Sequence, residues 1–158
     1  MKSAIAKYLR WFMPSVTLPQ SVLLLLVRLY WGWSFFLTGK GKLMDLQKPA
    51  EFFQSLGIPF PYQQALLAGA TECFGGLFLL FGFCARLTSI PLTILLIVAY
   101  LTADLDTVKG VFSDPDKFFA ADEFLFLFAV IIVLAFGPGK LAVDWLINRK
   151  FASPSSGE

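Results

Sequence analysis

Long apolar segments separated by short polar stretches dominate the pattern of this chain. Apolar residues run almost without interruption over residues 18–38, 62–83, 86–103 and 121–136. A helix needs about 20 mainly apolar residues to cross a hydrocarbon core roughly 30 Å thick, and the first three segments have about that length. The pattern therefore predicts an all-α fold, a bundle of four transmembrane helices that contacts the lipid bilayer.

Shorter amphipathic stretches flank these segments and predict helices that lie in the membrane interface. One lies in the polar connection after the first segment, at residues 49–55, and another near the end of the chain, at residues 141–147. The chain therefore divides into an amphipathic interfacial N-terminal segment, a membrane domain and a disordered tail, at residues 1–17, 18–150 and 151–158.

Charge is distributed unequally between the two predicted ends of the bundle. With four crossings, one end carries seven basic and two acidic residues, and the other carries five basic and eight acidic residues. Lysine and arginine concentrate on the cytoplasmic side of multi-pass membrane proteins. We therefore expect a protein of the cell (inner) membrane with both termini in the cytoplasm.

Composition supports a membrane protein and excludes several kinds of chemistry. Hydrophobic residues make up 57% of the 158 residues, above the roughly 45–50% typical of soluble domains. Because the chain has no histidine, it cannot use histidine as a metal ligand or as an acid–base catalyst, and we expect no metal site. A net charge of +2, without a basic run interleaved with aromatic residues, gives no sign of a nucleic-acid partner.

Arg28 and Glu72 are each the single charged residue inside an apolar segment. An isolated charge at that depth costs about 2.5–3.5 kcal/mol on insertion scales. A rise of 1.5 Å per residue places both at similar depths, roughly 12–16 Å from one end of their helices, and consecutive helices are usually neighbours. We therefore predict a buried Arg28–Glu72 ion pair at the functional site, where Glu72 exchanges protons. The alternative is that Glu72 only holds helices together in a groove of small residues.

Lys40 and Lys42 lie where the first helix should leave the outer leaflet. Residues 39–42 (Gly-Lys-Gly-Lys) predict a turn that presents backbone amides and ammonium groups to an anion. Lysines that extend to lipid headgroups would give the same pattern. Trp31 and Phe35 lie on the same side of this helix and are candidates for the apolar walls of a binding site.

Tyr100 and Cys73 complete the candidate site residues. Tyr100 shares a stripe of the third helix with Asp104 and could contact a ligand, although a solvated loop with acids at a helix N-terminus explains the same residues. Cys73, beside Glu72, is either a redox thiol or a small apolar packing residue. Cys73 and Cys84 are about 16 Å apart on one predicted helix, too far for a disulfide.

Six short motifs occur in a fixed order along the chain. They are Arg28 with Gly32, residues 39–43, residues 56–61, Glu72 with Gly75 and Gly76, residues 82–86, and residues 137–139 followed by Asp144. Over about residues 22–147, this ordered set resembles the DoxX family of small four-helix membrane proteins. The resemblance implies that Arg28, Glu72 and Lys42 are the charged residues that recur in that family.

The resemblance also implies an association with quinone-linked oxidation and membrane-bound redox defence, rather than one defined reaction. We predict a quinone-interacting subunit of a membrane oxidoreductase or redox-defence system, in which Arg28 and Lys42 donate hydrogen bonds to the quinone. No intrinsic cofactor is evident, so a membrane or soluble partner would supply electrons; a homo-oligomer is also compatible with the pattern. The alternatives are a non-enzymatic scaffold or assembly factor that recruits a soluble redox partner, and a small-solute permease, which the lack of an evident internal repeat disfavours.

Overall fold

A computed structural model gives the structure of residues 18–151. The helices of this part of the chain are α1 (Leu18–Met44), α2 (Gln47–Ser55), α3 (Pro61–Phe81), α4 (Ala85–Ala103), α5 (Leu105–Lys109), α6 (Pro115–Ala120), α7 (Asp122–Phe136) and α8 (Val143–Phe151). The predicted all-α class is confirmed for these residues. The predicted N-terminal segment at residues 1–17, and the predicted tail from residue 152 onwards, lie outside the described residues.

Four of the helices form a bundle in which each packs against two others. α1 packs against α3, α3 against α4, α4 against α7, and α7 against α1, which closes the ring. Side chains from all four helices fill the interior between them: Phe35, Leu79, Ala85, Leu92, Leu96, Val130 and Val133. The core is therefore continuous from one side of the ring to the other.

Three helices of the described chain, α1, α3 and α4, are long and apolar enough to cross a membrane. Large apolar side chains on their outer faces remain exposed, including Leu23, Leu67 and Leu87. Such faces indicate contact with lipid rather than water, so the chain is a multi-pass membrane protein. α7 is also apolar but has 15 residues, a length of about 22 Å. The fourth crossing, and with it the four-helix transmembrane bundle, therefore remains a prediction.

α1 is longer than the sequence analysis predicted. It continues through residues 39–42 and ends at Met44, so the predicted anion-binding turn is wrong. Glycine has a low helix propensity, and for that reason the sequence predicts that the helix ends before Gly39. In the structure Gly39 is buried against α3, and this tertiary contact holds the segment helical.

The polar connection at residues 104–120 contains two short helices. α5 follows α4 almost directly, and α6 begins at Pro115. Asp114 caps α6, because its side chain accepts a hydrogen bond from the backbone N–H of Lys117 at 3.2 Å. Short-range capping of this kind gives the connection local structure without a long apolar segment.

Glycines set the register between α1 and α3. A Cβ atom on Gly32 would lie 2.8 Å from the backbone nitrogen of Leu80, and one on Gly39 would lie 2.7 Å from the Cα atom of Cys73. Backbones approach this closely only where side chains are absent. Gly32 is therefore level with Leu80, and Gly39 with Cys73.

We expect Gly39→Ala to destabilise the protein by about 1–3 kcal/mol, because the added methyl group would overlap backbone atoms that cannot move aside. Gly41→Ala is the matched control, since a Cβ atom there meets nothing within 4 Å. In that exposed helical position alanine should stabilise by about 0.5–1 kcal/mol. The measurement is the free energy of unfolding in mixed micelles. Equal effects of the two variants would show that the close approach of α1 and α3 is not a constraint.

Candidate functional site

A partly buried ion pair joins α1 to α3 near the Met44 end of α1. Lys42 Nζ donates a hydrogen bond to Glu72 Oε1 at 2.6 Å. The side chain of Glu72 is 7% exposed, whereas that of Lys42 is 33% exposed. The second carboxylate oxygen of Glu72, Oε2, is buried and has no hydrogen-bond partner among the described residues. One cation therefore compensates the charge of Glu72, and one buried acceptor stays free.

The predicted Arg28–Glu72 ion pair is wrong, although both side chains are buried as expected. Glu72 is adjacent to Cys73 and is therefore level with Gly39 of α1. Arg28 precedes Gly39 by 11 residues, about 16 Å along the helix axis. Depths counted from the ends of the apolar segments predict that Arg28 and Glu72 lie at the same level of the bundle. The glycine contacts between α1 and α3 instead place the two charges at different levels.

Arg28 instead ties α1 to the segment that follows α7. Its side chain is 1% exposed, and Nη2 donates a hydrogen bond to the carbonyl oxygen of Leu141 at 2.6 Å. Nη1 lies directly against Gly82, where a Cβ atom would overlap it. Gly82 also has a φ of 65°, which favours glycine. Arg28 thus belongs to the packing of this end of the bundle.

Asp144 organises the same end of the bundle. Its carboxylate accepts hydrogen bonds from the backbone N–H groups of Cys84 and Ala85, at 2.7 and 2.9 Å, and so caps α4. Its own backbone N–H donates to the carbonyl oxygen of Gly82 at 3.0 Å, and its charge attracts that of Arg28. In the sequence, Asp144 stands out only as part of a motif. Its role could not be found locally, because the groups it caps precede it by about 60 residues.

The structure separates the other predicted residues of α1 from the ion pair. The rings of Trp31 and Phe35 each pack edge-on against Phe126 of α7, with centroids 4.7 Å apart. These two aromatic side chains therefore fill the interface between α1 and α7. Lys40 is exposed. Residues two positions apart on a helix point in directions about 200° apart, so Lys40 and Lys42 lie on different sides of α1.

Tyr100 and Cys73 also have identifiable packing contacts. The hydroxyl of Tyr100 donates to the carbonyl oxygen of Phe118 at 2.8 Å, and the two rings stack with centroids 5.2 Å apart. Tyr100 therefore connects α4 to α6. Cys73 is a buried free thiol at the close contact between α1 and α3, where its small size suits the packing.

The Lys42–Glu72 pair is consequently the best-defined candidate site. It combines a partly exposed ammonium group with a buried carboxylate oxygen that has no partner. An ammonium group has three donors, and hydrogen bonds formed in apolar surroundings are stronger than those in water. The pair can therefore bind a small oxygen-bearing group and exchange a proton with it.

The fold and this site define a small helical membrane protein with a partly buried ion pair between its first two long helices. The chain belongs to the DoxX family, whose sequence pattern matches residues 23–105, and the resemblance inferred from the motifs is confirmed. A Bacillus subtilis protein described as "Putative oxidoreductase CatD" is 30% identical over 120 residues, which cover 76% of this chain and 83% of that protein. An "Uncharacterized protein" of Haemophilus influenzae is 28% identical over 138 residues, 85% of this chain and 89% of that protein. No solved structure gives a significant match.

Proposed function

We propose that this protein is a quinone-interacting subunit of a membrane oxidoreductase or redox-defence system. The Lys42–Glu72 pair is the contact to the quinone head group. The observation that carries the proposal is the buried, unpartnered Oε2 of Glu72 beside the ammonium group of Lys42. The description of the Bacillus subtilis relative as an oxidoreductase supports a redox context.

Each member of the pair suits one part of a quinone head group. Lys42 keeps donors beyond the one used on Glu72, and these can bind a carbonyl oxygen. A protonated Glu72 can donate its proton to a quinone oxygen as the quinone is reduced, and Oε2 can then accept a hydrogen bond from the hydroxyl group of the reduced form. A buried acceptor without a partner is unfavourable, so a ligand hydroxyl at this position would be stabilised.

Electrons must come from a partner in this proposal. A bound quinone supplies the redox chemistry, which exchanges two electrons and two protons. Among the described residues, no group of three or more His, Cys, Asp or Glu side chains could hold a metal ion. In this proposal a membrane or soluble redox protein supplies the electrons, and Lys42 and Glu72 bind the head group and exchange its proton.

The proposed orientation places the pair towards the periplasmic side. In this orientation α7 is the fourth crossing of the cell (inner) membrane, and both termini are cytoplasmic. The excess of basic residues at the Arg28 end of the bundle and of acidic residues at the Lys42 end supports this orientation. Access to the Lys42 ammonium group is then from the outer leaflet.

We expect Glu72→Gln to weaken the binding of a short, tail-less benzoquinone in its reduced form by about tenfold or more, because it replaces a charged acceptor for the hydroxyl group of the ligand. Lys42→Met combined with Glu72→Gln should weaken binding at least as much without leaving an unpaired charge. The measurement is calorimetric titration of the purified protein with oxidised and reduced quinone. Glu51→Gln and Lys40→Met are the controls, since both residues are exposed, and they should bind as the wild type does.

Equal affinity in the wild type and both site variants would contradict the proposal. A soluble protein that co-purifies stoichiometrically, with no quinone bound at any concentration, would instead favour the scaffold function.

A further inference from the structure

The connection between α4 and α7 carries negative charge that no cation compensates. Residues 104–123, here called the acidic cap, contain six acidic residues and two lysines. The acidic residues are Asp104, Asp106, Asp114, Asp116, Asp122 and Glu123. None of the six forms an ion pair with a residue that the structure describes. Their negative potential therefore remains available at the surface, where it attracts a positively charged partner.

Phe112 projects from the middle of the acidic cap. It is 96% exposed, more than any other large apolar residue of the described chain. The turn that carries it is fixed, because the backbone N–H groups of Ser113 and Asp114 both donate to the carbonyl oxygen of Gly110, at 2.9 and 2.8 Å. An aromatic side chain held out in this way is suited to fill a pocket of a partner, as the anchors of protein interfaces do.

Lipid is a less suitable partner than protein for Phe112. Asp114 and Asp116 follow it by two and four residues, and both are exposed. Asp114 cannot turn away without giving up its cap on α6. Insertion of Phe112 into the bilayer would bring these carboxylates towards the hydrocarbon core, where a charge is costly. A protein surface with an apolar pocket and a basic rim accommodates both the ring and the carboxylates.

The acidic cap lies at the same end of the bundle as the ion pair. Lys42 is level with Gly69 of α3, where an added Cβ atom would lie 3.2 Å from the Cβ atom of Lys42. Gly75, six residues or about 9 Å from Gly69, contacts Leu92 of α4 in the same way at 3.0 Å. Tyr100 lies eight residues, about 12 Å, beyond Leu92 in the same direction, and its hydroxyl group binds α6. The cap and Lys42 are therefore level to within about one helical turn.

We propose that the acidic cap is the docking surface for a soluble redox protein that supplies electrons to the quinone. This partner has a basic surface around an apolar pocket, and the pocket receives Phe112. Two electrons from the partner and two protons, one through Glu72 and one from solvent, convert the quinone to the hydroquinone, and the partner is oxidised. The inference rests on the proposed function, and it names the class of the partner and its place of contact.

Binding of cytochrome c, a small redox protein with a basic face around its exposed haem edge, tests this surface. The purified protein is held in nanodiscs of phosphatidylcholine, which has no net charge, and surface plasmon resonance gives the dissociation constant. The two conditions are about 10 mM and about 150 mM salt, at which charges are screened over about 30 and 8 Å. We expect binding that weakens about tenfold or more at the higher salt, and no binding of flavodoxin, a small acidic redox protein.

Charge variants locate the contact. Asp106→Asn combined with Asp116→Asn should weaken the binding of cytochrome c at low salt by about tenfold, because both exposed carboxylates belong to the cap. Asp45→Asn combined with Glu51→Gln is the matched control. It removes two exposed carboxylates from the same end of the bundle but outside the cap, and it should leave binding within about twofold of the wild type.

An aromatic variant tests the anchor. Phe112→Ser should weaken the binding of cytochrome c by about tenfold, as the loss of an interface anchor does. Phe60→Ser is the matched control, since Phe60 is 72% exposed and lies outside the cap. All of these variants should bind the reduced tail-less benzoquinone as the wild type does, because none of them changes Lys42 or Glu72.

Several outcomes would overturn the proposal. Absence of cytochrome c binding, equal losses from the two pairs of charge variants, or full binding by Phe112→Ser would refute the docking surface, while intact quinone binding would leave the proposed function standing. Photo-cross-linking through p-benzoylphenylalanine at position 112 should reach cytochrome c. Cross-links to phosphatidylcholine or to a second copy of this chain would instead assign the surface to the membrane or to a dimer. If the wild type binds no quinone, the proposed function fails, and the docked protein is then no electron donor to this site.

Discussion

Replacing Lys42 by methionine should destabilise the protein by about 3–5 kcal/mol, because it leaves Glu72 as an unpaired buried charge. The side chain of Glu72 is only 7% exposed, so its carboxylate cannot turn to water. Glu72→Met should cost less, since Lys42 is 33% exposed and can extend its ammonium group to the membrane surface. The double variant should lie close to the wild type, because it removes both charges together.

The measurement is a double-mutant cycle on the free energy of unfolding in mixed micelles. Lys40→Met is the control for the loss of a lysine from α1, since Lys40 is exposed. A harmless Lys42→Met together with strong coupling between Arg28 and Glu72 would contradict the structure and restore the pairing expected from the sequence.

The sequence was sufficient to predict that Arg28 and Glu72 are buried, but it did not predict which residues they contact. A charge inside an apolar segment must be buried or compensated, and this argument needs only the local composition. A pairing also requires the axial register of two helices. Gly32 and Gly39 set that register through contacts with α3, and no count from the ends of the segments can anticipate it.

The C-terminal end of α1 shows the same difference between what the local sequence predicts and what tertiary contacts determine. The predicted end of the first segment at residue 38 does not agree with the structure, because Gly39 and Gly41 look like helix terminators to any local rule. The burial of Gly39 against Cys73 is tertiary, and by extending α1 to Met44 it also brings Lys42 to Glu72.

The Arg28 end of the bundle depends on contacts that are still more distant in sequence. Arg28 and Leu141, joined by a hydrogen bond, are 113 residues apart. Sequence motifs pointed to residues 137–139 and to Asp144, but only as parts of an ordered set. Their physical role emerges from three chain segments that meet at this end: α1 at Arg28, the turn between α3 and α4 at residues 82–85, and the segment at residues 141–144.

Removing the carboxylate of Asp144 should therefore have a large structural effect. We expect Asp144→Ala to destabilise the protein by about 2–4 kcal/mol, because a charged cap is lost and two backbone N–H groups of the α4 N-terminus lose their acceptor. Ala85 is fully buried, so water cannot easily replace that acceptor. The loss also removes the negative charge that attracts Arg28.

Asp114→Ala is the matched control, since Asp114 caps α6 through one exposed hydrogen bond of 3.2 Å. Its loss should cost about 0.5–1 kcal/mol, the lower end of the range for helix caps. The destabilisation by Asp144→Asn should lie between those of Asp114→Ala and Asp144→Ala, because the amide keeps one acceptor oxygen but not the charge. Unfolding free energies of the three variants, measured with a fluorescent label at Cys84 to report on the start of α4, separate these cases. Ala142 is buried, and its side chain lies against Gly82. Equal losses for the two aspartates would mean that this packing, and not the carboxylate of Asp144, holds the turn between α3 and α4.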